Sequence, residues 1–444
     1  MFTSVKLKNF RSLVDFKADF MNNKSNVQSF ALIYGENGSG KTNLTSSIYL
    51  LVESISTLII QDNFRKLINH LEHDENFKSI EDLDDLKLFI KGRNSLAMQD
   101  IIIKNKTVGS DYMELEYNFI IDNKKGSYII VTDNNIIIRE SLYFTDNIKM
   151  TNLFTLEKGN HYFNNKFFID IKYKTNVVEL VNQYWGKHSL LAIINSELSS
   201  KNEDYVRGSI INSVFSVIGF FDSISVCIVG GDDFLSKGIL HSNNSLLSKL
   251  DKGTIAKNEF EELKKLENIL NIFFTRLYSD VKAVYYKIEE SDKLSYQLYF
   301  KKLIYGKILD INFSLESTGT KQLLTVFPFI LSILKGNIVI IDDFDSGIHD
   351  ILICQIMEEL QSISKGQTII TTHNTGLLES TSLSNSAYIL NVNNNANKEL
   401  IPIKEFVRIH PNLNIRKKYL SGQFGAIPVT MEIDFQEIKE ILEN

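Results

Sequence analysis

Cysteine and proline are scarce in this chain, and each scarcity closes off a class of protein. Two cysteines in 444 residues, Cys227 and Cys354, stand far apart in apolar runs. They form neither a C-x-x-C pair nor a disulfide framework, which fits a reducing cytoplasm. Four prolines argue against long disordered linkers. Long apolar runs are missing too: the best candidate, SVFSVIGFFDSISVCIVGG (213–231), is broken by Ser, Asp and Gly and makes a poor membrane span. The opening MFTSVKLKNF lacks the apolar core of a signal peptide. A cytoplasmic protein with no membrane contact is expected. An excess of basic residues is also absent. The net charge of −6 argues against indiscriminate nucleic-acid binding, though not against a local basic groove.

What remains is an ordinary globular balance, 43% hydrophobic and 23% charged, in a length that suits two or three units or one domain with a large insertion. The opening reads as a strand pair, SVKLKNF and LVDFKADF, around a break at Arg11 and Ser12. FALIY (30–34) is a short buried strand ending at Gly35. Leu44, Ile48, Leu51, Val52 and Ile55 then recur at helical spacing. Residues 56–100 read as mainly helical and polar. From 100 to 175, period-two segments separated by Asp122-Asn123 and Asp133-Asn134 predict an antiparallel meander. Helical texture follows between 176 and 280, then two strands at 282–288 and 294–302. Beyond 320 helices alternate with the strands NIVII, QTIITT and AYILNV, which points to a mostly parallel sheet. The expected organisation is an α/β core built from 1–55 and 301–444, split by a β-meander and helical insertion over 56–300.

Four segments carry chemistry. Gly35-Glu36-Asn37-Gly38-Ser39-Gly40-Lys41-Thr42 matches the phosphate-loop pattern GxxxxGK[ST] between a strand and a helix. Its glycines let backbone N–H groups turn toward phosphate at a helix N-terminus. Lys41 is expected to reach the β- and γ-phosphates, and Thr42 to ligate Mg²⁺. In Asn337–Asp343 an apolar strand delivers two carboxylates to its C-terminal edge. Asp342 is the expected Mg²⁺ holder, and Asp343 the group that orients the attacking water. A third segment, QTIITTHN, puts His373 at the end of the next strand, where it can sense a γ-phosphate. The fourth, Glu316-Ser317-Thr318-Gly319-Thr320-Lys321, precedes a predicted helix, where small residues expose N–H groups to an anion. The bland readings are a glycine-rich turn, a core strand, a structural histidine and a plain N-cap. The order of all four motifs in one chain decides for the chemical ones.

Those motifs in that order resemble ABC-type ATPases, the group that includes heads of the RecF, OLD and SMC kind. ESTGTKQLL, IDDFDSGIHD and TTHNTGLLE look more narrowly like ATPases of bacterial antiphage, abortive-infection modules: RloA-like and AbiLi-like proteins and AriA of the PARIS system. Tyr184–Leu191 (YWGKHSLL) and Arg416–Pro428 (RKKYLSGQFGAIP) resemble further segments of that subgroup. The resemblance implies a P-loop ATPase head using ATP and Mg²⁺ in a homo-oligomer. ATP would lie between Lys41 of one subunit and Ser317–Gly319 of another. It also implies a separate effector protein, of TOPRIM or RloB-like kind, and a phage-encoded trigger. Asn9-Phe10-Arg11-Ser12 matches a turn whose Arg commonly approaches the nucleotide, which makes Arg11 a candidate. Asp343 departs from the pattern, where Glu is usual. The shorter carboxylate points to slow, switch-like hydrolysis. Asp345 stands where Glu is frequent, while His349 fits. Trp185 is expected to be a core or interface aromatic.

The alternative function is a RecF/SMC-like repair ATPase binding DNA directly, with Arg416, Lys417 and Lys418 as its groove. The tail after His373 is expected to be too short for an added TOPRIM nuclease, and its Glu432-x-Asp434 pair reads as a solvated helix start. The isolated protein is accordingly expected to cleave no nucleic acid with Mg²⁺ or Mn²⁺. Robust cleavage abolished by Glu432→Ala would reverse that reading.

Overall fold

The computed structural model describes residues 1–22, 26–72, 95–146, 149–228, 237–242, 244–290, 293–393, 396–410, 413–427, 433 and 435–443. Glu432, Asp434, Pro428 and much of the polar stretch 56–100 lie outside the described residues. No single described helix is long and apolar enough to cross a membrane.

Strand Phe30–Tyr34 is buried at every position, as a run apolar on both faces must be inside a covered parallel sheet. It lies between Thr368–Thr371 and Ala387–Val392, parallel to both. Ile338–Asp342 pairs in parallel with Thr368–Thr371, and Ile224–Ile228 in parallel with Ile338–Asp342. Antiparallel strands close the edges, Lys237–Ile239 on one side and Lys398–Pro402 on the other. Alternation along Phe30–Tyr34 divides two cores. Ala31 and Ile33 face Leu44, Ile48 and Leu51 of helix Lys41–Ser54. Phe30, Leu32 and Tyr34 face a core shared with Leu323 and Val326 of helix Thr318–Leu334 and with Ile353 and Met357 of helix Asp350–Ile363.

The expected mostly parallel sheet describes the inner five strands of this sheet and nothing else. A second seven-stranded sheet is wholly antiparallel. It runs Leu13–Asp19, Phe2–Phe10, Met113–Ile121, Lys124–Thr132, Ile137–Asp146, Lys149–Glu157 and Asn160–Phe163. The opening strand pair and the meander are therefore one layer, joined where Phe2–Phe10 pairs with Met113–Ile121. The two-residue turn at Asp122 and Asn123 takes positive φ at both positions, 47° and 64°. That is the hairpin turn these residues favour. The layer covers the phosphate-loop helix, with the Tyr117 hydroxyl donating to Ser47 O at 2.6 Å. A smaller antiparallel sheet (Lys252–Ile255, Val281–Glu290, Leu294–Ile304, Lys307–Asn312) packs on helix Phe260–Leu277. Asn271 and Glu267 on that helix accept the backbone N–H groups of Val284 and Tyr286.

The sequence reading missed Ile224–Ile228 and placed it in helical texture. Its ISVCI follows directly on the apolar helix Asn212–Asp222, so no change of period marks the boundary. The stretch 56–300 therefore supplies a strand to the central sheet beside the two acidic residues of the Asn337–Asp343 segment.

The WGKH segment is locked to its neighbours by half-buried Trp185 and buried His188. Trp185 Nε1 and Leu190 N both donate to Glu140 Oε2, at 3.0 and 2.7 Å, and the Tyr128 hydroxyl donates to Oε1 at 2.8 Å. His188 Nδ1 lies 2.9 Å from Thr57 Oγ1 on the next helix. Burial pushes the Glu140 carboxyl up to about 7 and the His188 imidazole down to about 4. An acid whose pKa is raised by folding loses stability as pH climbs from its unfolded value through its folded one. For Glu140 that window is about 4.5 to 7. His188 works oppositely, losing stability as pH falls from 6.5 to about 4. Glu140→Gln is expected to match the wild type near pH 5 and to exceed it by about 2 kcal/mol at pH 8. Urea midpoints at the two pH values check this, and a difference that does not change with pH would refute it.

Candidate functional site

The C-terminal ends of the parallel strands meet at one edge of the central sheet, where α/β folds place ligands. A cavity of about 470 Å³ lies there, lined by Ser12, Asn37, Gly38, Gly40, Lys41, Thr42, Asn43, Asp342, Asp343, Thr371 and His373. Segments more than three hundred residues apart in sequence thus share one pocket. Its size is within the usual range for a small-molecule site.

The loop leaving Phe30–Tyr34 is tightly folded. A Cβ on Gly35 would sit 2.7 Å from Ser39 Oγ and 3.0 Å from Leu390 O. Gly40 caps helix Lys41–Ser54 at φ 110°, which only glycine adopts readily. The result is a helix N-terminus aimed into the cavity, with free N–H groups and a dipole suited to an anion. Lys41 Nζ donates to Gly35 O at 2.7 Å and Glu36 O at 3.1 Å. An ammonium has three protons, so one remains for a ligand. Burial pulls the Lys41 pKa down, opposed by the fields of Asp342, Asp343 and Asp345. Behind the loop Ser39 Oγ is buried without a partner.

Asp342 ends its strand almost fully buried, and the Thr371 hydroxyl donates to its Oδ1 at 2.6 Å. The same hydroxyl accepts the backbone N–H of Asp343 at 2.8 Å. Thr371 therefore sets both acids in place, and the register that pairs Ile341 with Ile370 brings it there. Asp343 takes φ 50°, a left-handed conformation that Asp tolerates better than most residues. Burial, then the neighbouring Asp345, raises the Asp343 pKa, with His373 opposing. Asp345 accepts the His373 backbone N–H at 3.0 Å, which ties the His373 turn to the loop after Asp343. The His373 side chain is exposed at the cavity.

Thr42 and Asp342 line the same cavity, the oxygen pair suited to a magnesium ion held with a nucleotide. The glycine crest and the part-used Lys41, both lining the cavity, fit a triphosphate. A bound Mg²⁺ would neutralise charge on the β- and γ-phosphates.

Other candidates lie elsewhere. Ser317 and Gly319 do not line this cavity. Ser317 caps helix Thr318–Leu334, its Oγ accepting Thr320 N at 3.2 Å. A Cβ on Gly319 would lie 2.5 Å from Gly347 O, so this position admits glycine for close packing on the loop after Asp343. Arg11 does not line the cavity either. It donates to Asn105 Oδ1 at 2.8 Å, Ser46 Oγ at 3.2 Å and Asn43 Oδ1 at 3.5 Å, along the side of the phosphate-loop helix. Its neighbour Ser12 faces the cavity and accepts from Asn43 Nδ2 at 2.7 Å. Ser12 and Thr371 escaped the sequence reading because lone hydroxyls carry no spacing signal.

Residues 218–379, about a third of the chain, match the family model described as AAA domain, putative AbiEii toxin, Type IV TA system. Solved structures that align with the chain include SMC heads, each at a TM-score below 0.5. One is the SmcHead bound to the C-winged helix domain of ScpA, at 12% identity and TM-score 0.43, covering 90% of this chain and 97% of that one. Another is the SMC head domain from Thermotoga maritima, at 13% and 0.37, covering 90% and 98%. A third is an Smc head domain with an extended coiled coil bound to the C-terminal domain of ScpA derived from Pyrococcus furiosus, at 13% and 0.36, covering 91% and 97%. No curated protein matches the sequence.

Thr371→Val should leave the fold intact while freeing both acids from their shared hydroxyl. On the ATP-hydrolysing function proposed below, its expected effect is a loss of turnover of about tenfold or more with a small change in nucleotide affinity. Unchanged turnover would show that the strand ends alone position Asp342 and Asp343.

Proposed function

We propose that this chain binds and hydrolyses ATP with Mg²⁺ and acts as the sensor and scaffold of a phage-defence module, restraining a separate toxic effector. The convergence of Lys41, Thr42, Asp342, Asp343 and His373 on one cavity supports the first half of that reading. In it the phosphate-loop helix binds the triphosphate, and Lys41 adds a positive charge at the β- and γ-phosphates. Asp343 holds the attacking water and accepts its proton, and His373 reports the γ-phosphate. The raised pKa of Asp343 bears on pH dependence. The ionised form is the one that accepts a proton, so turnover should fall on acidification at a pH above the ordinary aspartate range.

Ser317 is exposed outside the cavity, where the motif resemblance would place it at the nucleotide of another subunit. This supports a homo-oligomer in which ATP is bridged between Lys41 of one copy and the Ser317–Gly319 turn of the next. The motif resemblance and the family description, which names a toxin of a toxin–antitoxin system, favour a defence setting. The DNA-repair alternative relied on the basic run Arg416–Lys418. Within that run Arg416 is ion-paired to Glu379 at 2.7 Å and Lys418 donates to Gln423 at 2.8 Å. Both contacts are solvent-exposed and leave most of the run's charge available, so the defence reading rests on the motif resemblance.

Two measurements test the proposal. Lys41→Ala and Ser317→Arg proteins should each be inactive alone. Mixed as dimers they should recover roughly a quarter of the wild-type rate, since half the exchanged dimers carry one intact site of two. No recovery would remove the bridged arrangement. Purification from the native host in ATP and Mg²⁺ should bring down one stoichiometric protein partner. Bound DNA without such a partner would shift the conclusion to a repair ATPase.

A further inference from the structure

We infer that Lys398 is a second phosphate-binding cation of the nucleotide site, engaging the α-phosphate side of ATP opposite Lys41. The inference deepens the ATP-binding reading and rests on it. Lys398 opens the antiparallel edge strand Lys398–Pro402, paired with Val392. From there its side chain crosses to the phosphate loop. Nζ donates to Ser12 Oγ at 2.5 Å and to Gly38 O at 3.2 Å. A Cβ placed on Gly40 would lie 3.5 Å from both Cδ and Nζ of Lys398. Ser12, Gly38 and Gly40 all line the cavity, and Lys398, which does not line it, reaches it through them.

The loop therefore has an ammonium on each flank. Lys41 holds the carbonyls of Gly35 and Glu36 at its start, while Lys398 holds the carbonyl of Gly38 at its crest. In a phosphate loop the lysine within the motif serves the β- and γ-phosphates, and the α-phosphate lies toward the residues opening the helix. Lys398 is on that second side, because its partner Ser12 is also bonded to Asn43, the residue after Thr42. Among the described residues no carboxylate forms an ion pair with it. The half-buried ammonium keeps one proton beyond the two in use. Burial lowers its pKa against the field of Glu36, as expected of a cation poorly compensated by protein charge. A lysine serving only as a surface solubiliser would not be drawn across a glycine crest in this way.

The experiment is titration of ATP and of ADP into the full chain by calorimetry, for wild type, Lys398→Gln and Lys398→Arg. Gln keeps a donor for Gly38 O and removes the charge. Arg keeps the charge. Lys398→Gln should weaken ATP and ADP by the same factor, about tenfold, because both carry the α-phosphate. Its unliganded melting temperature should equal that of wild type. Lys398→Arg should stay within about twofold of wild type, since it retains the charge-assisted contact. The inference is overturned if Lys398→Gln binds as wild type does, or if ATP alone is weakened. Equal weakening by Gln and Arg would also overturn it, assigning Lys398 to shaping the loop. A wild-type chain that binds neither nucleotide would instead sink the ATP-binding reading itself.

Discussion

The hydroxyl of Thr371 is the joint on which the site depends. It accepts the backbone N–H of one acid and donates to the carboxylate of the other. Neither contact exists unless strands Ile338–Asp342 and Thr368–Thr371 run parallel and in the observed register. Slip that pairing by one residue and every side chain changes face. The left-handed backbone at Asp343 is part of the same joint. It turns the chain sharply out of the strand, and a residue able to adopt that conformation at modest cost stands there.

Around this joint the fold is organised to hold strand ends still. Two cores grip the central sheet, one on each face, divided by the alternation along its strands. The antiparallel layer is tied to it by Gln367, fully buried. Gln367 Oε1 accepts Phe2 N at 2.6 Å, and its Nε2 donates to Phe2 O and Gln28 O. At the far side of the phosphate-loop helix, Glu140 collects the Trp185, Tyr128 and Leu190 donors, while His188 reaches Thr57. A buried carboxylate is costly unless its lone pairs are filled. Here three donors from three elements converge on it, so the cost of burial is partly offset, and only when all three elements are in place. The WGKH segment thus serves the architecture that supports the helix bearing Lys41.

The loop after Asp343 links the chemistry to a distant surface. Asp345 holds the His373 turn, and Gly347 lies against Gly319 at the start of helix Thr318–Leu334. The same loop thus touches the turn after His373 through the Asp345 side chain and the turn carrying Ser317 through close packing of Gly319 on Gly347.

The sequence by itself determined the phosphate loop, the acidic strand end, the histidine after the next strand and the Asp122-Asn123 hairpin. In each case the chemistry depends on neighbours in the chain. Glycines at fixed spacing set backbone dihedrals locally, and an apolar run followed by acids declares a buried strand with an exposed end. Only the tertiary structure decided the rest. That Ile224–Ile228 is a strand beside Asp342 depends on which apolar run finds an open sheet edge, not on any period within it. That Ser12 rather than Arg11 faces the cavity depends on a positive φ of 50° at Arg11 and on the helix against which its guanidinium lies. That Thr371 positions both acids, and that Lys398 reaches the glycine crest, follow from strand order. Strand order joins residues hundreds apart, and such contacts leave no mark on the local sequence around any of them.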